Sequence, residues 1–310
     1  MGFFKSIKSK STQFGAKKGF QYGLQECIGV HRQQEQIDTL FYFLSEYVDP
    51  SQLPPTKDPD LRIMQLCDAY LLQFFDKVCQ KYNLAYWLDW GTLLGAVRHH
   101  GFVPWDDDTD VSMPREDYDK LLNNIPPEFK EYGIGIVEES GRLCISYKHH
   151  ETGIWIDVFP AEKLSYDTWD PEKLQVAAHD FRKKYKKLKS DDGATTYKLK
   201  KECFHEFENG KSDFYVLALV TCNVLTLYTA KSEDIFPLKK AEFEGISLNV
   251  PNDCDAYLNV CYGPSYMKLP KSGVLQHGIG RTPLSTWAKA HGVDMYEVCD
   301  YLKGISEKII

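Results

Sequence analysis

The chain has 310 residues, 43% hydrophobic and 14% aromatic, which suffices for one large or two modest packed domains and excludes disorder as the general state. A formal net charge of -7 excludes an overall basic field for nucleic acid. Nine cysteines, an odd number with no C-x-x-C pair, argue against a disulfide framework or a structural zinc site and for reduced thiols in a cytoplasmic protein.

Residues 1–24 carry Lys5, Lys8, Lys10, Lys17 and Lys18, and no acid precedes Glu26. Two readings stand: a basic amphipathic segment that touches a membrane surface peripherally, or a solvated terminus. A short amphipathic helix is expected over 33–48, and the proline-rich stretch 49–60 reads as a linker. Apolar residues at helical period from Leu61 to Tyr82 predict a strong helix that stops near Asn83. Ala85–Trp90 reads as a strand, turned by Gly91-Thr92 into a helix over Leu93–Arg98. A loop over Gly101–Trp105 leads into a strand over Asp108–Met113 and a helix over Arg115–Ile125.

Three short strands follow at Gly133–Val137, Leu143–Lys148 and Ile154–Phe159. Helices are expected over Pro171–Leu188, Tyr197–Phe207 and Phe214–Ala230. A strand at Ile246–Val250 and a helix at Asp253–Cys261 ending at Gly263 come next, then a helical tail from Leu284 broken at Gly292. No apolar run approaches the roughly 20 residues of a membrane span, because Thr221, Asn223, Thr226 and Tyr228 interrupt the longest candidate. No apolar core of a secretory signal is visible near the N-terminus.

The chemistry concentrates in Trp87–Asp119, where Asp106, Asp107, Asp108 and Asp110 fall within five positions. Strand alternation puts Asp108 and Asp110 on one face, able to reach a hard cation such as Mg2+ or Mn2+ through oxygen, and turns Asp107 away. Asp157, an acid in the middle of the apolar strand IWIDVF, is the candidate third ligand, since a buried carboxylate needs a partner. Asp106 stands as a second-metal ligand or a catalytic base. Gly91 and Thr92, at a helix start, offer N–H groups and a hydroxyl to a phosphate. Arg98 and Lys148 are candidate diphosphate clamps, with a plain salt bridge and a solvated surface lysine as the respective alternatives. Such parts suit phosphoryl transfer, where positioning and charge neutralisation carry the catalysis.

The segment GTLLGAVRHHGFVPWDDDTDVSMPREDY resembles the signature of the LicD/fukutin family, and WIDVFPAE, AEFEGISLNVP and YLNVCYGPSYMKLP are similar to its later segments. The resemblance runs from about Leu61 to Pro270. It implies an α+β, nucleotidyltransferase-like fold: a small mixed sheet flanked by helices, with additional C-terminal helices. It matches Gly91 and Thr92 to the family's turn, Asp108 and Asp110 to its metal aspartates with Asp106 just ahead, and Asp157 to its third acid. It also implies transfer of phosphocholine, or of ribitol or glycerol phosphate, from a CDP-linked donor (CDP-choline or a CDP-polyol) to a surface or capsular glycan, with release of CMP.

His99-His100, Thr109 and Glu162 depart from the usual pattern without removing a ligand, and they leave the donor open. The domains expected are 1–60 as an N-terminal segment and linker, 61–270 as the catalytic domain and 271–310 as a helical extension. A nucleotidyltransferase that moves NMP to a small molecule, and a non-catalytic polysaccharide-assembly protein, are the alternative readings.

Overall fold

The computed structural model describes residues 33–309 except 140–141, 148–152, 167–170, 189–192, 205–211, 221–224, 270–287 and 289. The described part divides into two compact units, one within 1–49 and 268–271 and the other within 50–267 and 272–310. In the first, residues 33–47 form the expected amphipathic helix, α1. All that follows concerns the second unit.

Helix α2 (Pro59–Lys81) begins where Asp58 accepts hydrogen bonds from the Asp60 and Leu61 N–H groups and Pro59 presets the first turn. It ends at Tyr82, before Asn83 takes a left-handed φ of 52°. Its inner stripe, Cys67, Leu71, Leu72, Phe74, Phe75 and Val78, is fully buried. Full burial of one such side chain contributes about 1.5–3 kcal/mol, so this stripe is the largest single reason the helix forms where the sequence places it.

One seven-stranded sheet faces α2. In chain order its strands are β1 (Trp87–Leu88), β2 (Thr109–Pro114), β3 (Ile134–Glu139), β4 (Arg142–Tyr147), β5 (Trp155–Tyr166), β6 (Ser212–Val220) and β7 (Leu225–Lys231). The spatial order is β1-β2-β5-β4-β3, with β6 on β5 and β7 on β6. Among the described residues only β2 and β5 pair in parallel, and the other pairs of this sheet are antiparallel. The crossover between the parallel pair carries α4 (Arg115–Asn123), α5 (Pro127–Glu131) and the β3–β4 hairpin. This is the small mixed sheet flanked by helices that the sequence predicts.

Three features differ from the sequence reading. The stretch expected as a helix over Phe214–Ala230 is the β6–β7 hairpin, with Phe214 opposite Lys231 and Val220 opposite Leu225. Its Val, Thr, Tyr and Phe residues are stiff or bulky at Cβ and fit a pleated surface better than a helix. The first strand is two residues long, because helix α3 (Trp90–His99) starts at Trp90, so Gly91 and Thr92 lie in its first turn rather than ahead of it. Strand Ile246–Val250, β9, has a partner unforeseen in the sequence, β8 (Lys239–Phe243), in a separate two-stranded sheet.

Beyond β5, helices α6 (Pro171–Tyr185) and α7 (Gly193–Phe204) pack on a satellite cluster of Leu164, Ala177, Phe181, Leu199 and Phe214. After the short α8 (Ser232–Ile235) and the β8–β9 hairpin, helix α9 (Cys254–Tyr262) is capped by Asp253 and ends at Gly263, φ 79°. The last helix, α10 (Met295–Lys308), lies along α2 and shares the main core with it through Val298, Leu302 and Ile305. No helix among the described residues is long and apolar enough to cross a membrane.

Leu72 on α2 belongs to the main core and has no exposed surface. Leu72→Ala should therefore cost about 2–5 kcal/mol, read as a lowered midpoint of urea unfolding. A change within about 0.5 kcal/mol, the range of surface substitutions, would show that this face of α2 is not the core.

Candidate active site

The site is built on the one parallel pair. Asp110 on β2 and Asp157 on β5 are direct neighbours across the ladder, and Cys144 on β4 is the neighbour of Asp157. Side chains level with one another on adjacent strands share a face, so Asp110, Asp157 and Cys144 form one row. Asp108 lies just before β2 begins, and its charge acts on Asp110. The opposite face carries Val111, Ile156, Val158, Leu143 and Ile145, all fully buried against the core. One strand pair thus seats the core on one side and the acids on the other.

The acids act on one another electrostatically. Burial, and then the charges of Asp108, Asp157, Asp106 and Asp89 in that order, hold the Asp110 carboxyl well above the ordinary carboxylate range. Asp106, Asp107 and Asp108 each place a carboxylate oxygen within 4.8 Å of the others. Asp107, expected to turn away, is buried at 2% exposure and belongs to this group. Every donor in the cluster is a carboxylate oxygen, and like charges this close are relieved by a cation between them. The residues fit a hard divalent ion.

Helix α3 supplies the second wall. Its N-cap, Asp89, is fully buried and accepts from the Trp90 N–H at 2.7 Å and from the Ser112 hydroxyl at 2.5 Å. The Trp87 indole N–H donates to the Tyr257 hydroxyl at 2.9 Å, and Tyr257 in turn hydrogen-bonds Asp89. A β-Cβ at Gly91 would collide with Oδ2 of Asp106, so this glycine lets the Asp106 carboxylate rest on the first turn of α3. A helix N-terminus favours a negative group there. The anion at this position in the structure is the protein's own Asp106. The Thr92 hydroxyl accepts from the Asp110 N–H at 2.8 Å, which ties α3 to the backbone of β2.

Of the two candidate clamps, Arg98 is buried at 3% exposure. Its Nη1 donates to the Tyr266 carbonyl at 2.8 Å and its Nε to the His99 imidazole at 3.0 Å. Burial lowers its pKa, and the nearby Tyr262 and Asp106 act to raise it. Lys148 lies outside the described residues. A cation not anticipated from the sequence stands in the row of acids: Arg142 Nε is 2.8 Å from Oδ1 of Asp157.

The loop between α3 and β2 is held from outside. Gln65 of α2 donates to the Asp106 carbonyl at 2.9 Å. Arg62, one turn earlier, makes two bonds to Glu244, at 2.9 and 2.7 Å. Glu244 sits in the β8–β9 turn at φ 52°, accepts from the Phe102 N–H at 3.2 Å, and through its own N–H binds the His100 carbonyl at 2.9 Å. Four supporting residues, Arg62, Gln65, Asp89 and Glu244, therefore escaped the sequence reading. Only Asp89 carried a usable signal, being an acid inside the apolar run AYWLDW just as Asp157 is inside IWIDVF.

With this geometry in view, comparison with known proteins is specific. Residues 83–190, which contain every acid of the cluster, match the family model for the LicD/FKTN/FKRP nucleotidyltransferase domain. The chain is 27% identical over 245 residues to the lipopolysaccharide cholinephosphotransferase LicD of Haemophilus influenzae, covering 68% of this chain and 92% of that protein. Shorter matches, 41% identical over 75 residues and 42% over 66, are to uncharacterised proteins of Rickettsia prowazekii and Rickettsia typhi, covering 28% and 21% of those proteins.

Gly91→Ala should push the Asp106 carboxylate from its seat while leaving the core intact. The expected outcome is a loss of turnover on the order of 10²-fold, as for a misplaced reacting group, with a nearly unchanged melting temperature. An unfolded variant would assign Gly91 a purely structural role.

Burial raises the Asp89 pKa from 3.8 to about 6, and bonds from Ser112, Trp90 and Tyr257 partly offset it. The native state then holds this proton more tightly than the unfolded chain. The contribution of Asp89 to stability is complete below its unfolded pKa of 3.8 and is lost as pH rises through about 6. Asp89→Asn keeps an acceptor for the Trp90 N–H and cannot ionise. Urea midpoints of variant and wild type should therefore diverge in favour of the variant between about pH 4 and pH 7; parallel profiles would refute the assignment.

Proposed function

From a chain whose residues 83–190 form a LicD-family nucleotidyltransferase domain, we propose a phosphotransferase that moves phosphocholine from CDP-choline to a hydroxyl of a glycan and releases CMP. The observation that supports this most is the pairing of Asp110 with Asp157 inside that matched domain, with Asp108 and Asp106 converging on the same point. The choice of phosphocholine over ribitol or glycerol phosphate rests on the likeness to a cholinephosphotransferase over most of its length. A glycan acceptor rests on the same likeness, since that relative's acceptor is lipopolysaccharide.

Asp108, Asp110 and Asp157 are the residues that would hold Mg2+ or Mn2+. When bound, such an ion neutralises charge on the donor diphosphate. The acceptor oxygen forms a bond to the choline-bearing phosphorus, and the bond from that phosphorus to the CMP oxygen breaks. Asp106, resting on the first turn of α3, takes the proton of the acceptor hydroxyl on a carboxylate oxygen; service to a second ion is its alternative role. Thr92 and Asp89 keep β2 and α3 at fixed spacing, which holds Asp110 opposite Asp106. Arg98 places a positive charge beside Asp106 from behind, through its anchor on Tyr266. The lysine-rich residues 1–24, which lie outside the described residues, would keep the enzyme at an anionic membrane face where a lipid-linked glycan is presented.

The test is CMP release, followed by ion-exchange chromatography, with CDP-choline, CDP-ribitol or CDP-glycerol, Mg2+ and a glycan acceptor. CDP-choline is expected to be turned over fastest. Asp108→Asn should lower turnover by about 10³-fold, the scale of a lost electrostatic contact to the reacting group, with the melting temperature unchanged. Consumption of CTP or ATP with pyrophosphate release, and no CMP from any CDP donor, would replace this reading by nucleotidyl transfer.

A further inference from the structure

Among the described residues, the row of acids contains one basic side chain, and its placement is set by strand register. Arg142 lies two residues before Cys144, which pairs with Asp157. It therefore projects from the same face as Asp157 and Asp110. Its Nε lies 2.8 Å from Asp157 Oδ1, and its side chain keeps 20% of its surface exposed, against 12% for Asp157. Arg98 differs on both counts: it is 3% exposed and engaged with the Tyr266 carbonyl and His99.

A guanidinium carries five N–H donors in a rigid planar fork. The same fork fits a phosphate bidentately. A diphosphate approaching these five carboxylates meets repulsion, and a fixed cation within the row offsets it. We propose that Arg142 is a donor-phosphate ligand of this site, its guanidinium held among the acids by its ion pair with Asp157 and shared between that carboxylate and the diphosphate. The inference rests on the phosphotransferase reading for the identity of the donor, though not for the presence of a phosphate.

The experiment uses the full chain with Mg2+ and pyrophosphate as the probe, followed by titration calorimetry, with cytidine titrated in parallel. Arg142→Gln should weaken pyrophosphate binding at least tenfold and Arg142→Lys less, since lysine keeps the charge and loses the fork. Cytidine affinity and the melting temperature should stay within twofold or a few degrees of wild type. Equal pyrophosphate affinity in wild type and Arg142→Gln would overturn the proposal and leave Arg142 as the counter-ion of Asp157. So would a loss in both variants that only follows unfolding, or a wild type that binds no pyrophosphate. Arg142-dependent pyrophosphate binding in a protein that releases no CMP from any CDP donor would retire the phosphocholine reading and leave Arg142 as a phosphate ligand.

Discussion

Two carboxylates, Asp110 and Asp157, stand side by side on adjacent parallel strands. Side by side on a sheet, like charges repel, and burial of both in a sheet face strengthens the repulsion. The fold accepts this because the opposite face of the same pair is its best-packed surface: Val111, Ile156 and Val158 are completely covered. Slipping β2 by one residue along β5 to separate the acids would turn those apolar side chains into the site and the acids into the core. The register is thus fixed by the core and the electrostatic conflict is a consequence of it. A cation beside the pair relieves that conflict, and the Arg142 guanidinium stands 2.8 Å from Asp157.

The remaining architecture holds the other acids against that pair. The α3–β2 loop has little secondary structure of its own, so its position comes from elsewhere. Gln65 and Arg62 lie about one turn apart on α2, a helix fixed by its own buried stripe. The β8–β9 turn adds Glu244, which takes both a guanidinium and a backbone N–H. The small second sheet is in this sense part of the active-site wall, and α10 contributes at one remove by covering α2.

Much of this was legible in the sequence, wherever the signal was local. Helical period gave α2, alternation separated Asp110 from Val111, and an acid in an apolar strand singled out Asp157. Failures came where a long-range partner decides. The run FYVLALV is apolar on all sides, so periodicity does not separate helix from strand and its Val, Tyr and Phe content is a weak strand cue; pairing with the second half of β5 makes it a strand. Arg142 reads as a hairpin residue, and only the β4–β5 register brings it to Asp157. Glu244 reads as a turn residue, and Gln65 as the polar side of a helix. Gly91 and Thr92 were recognised for their place ahead of the acids, and the structure gives each a different contact: a carboxylate seat and a tie to β2.

The glycine at position 95 sets a further limit. A Cβ there would collide with the Gly101 carbonyl and come within 3.2 Å of the Val103 N–H. The Gly101 N–H also reaches back to the Gly95 carbonyl. The chain between α3 and the acids therefore folds back at backbone contact, with no slack to take up an added or deleted residue. Length is then as much a specification of this segment as composition: between Gly95 and Asp106 the spacing itself is part of the site.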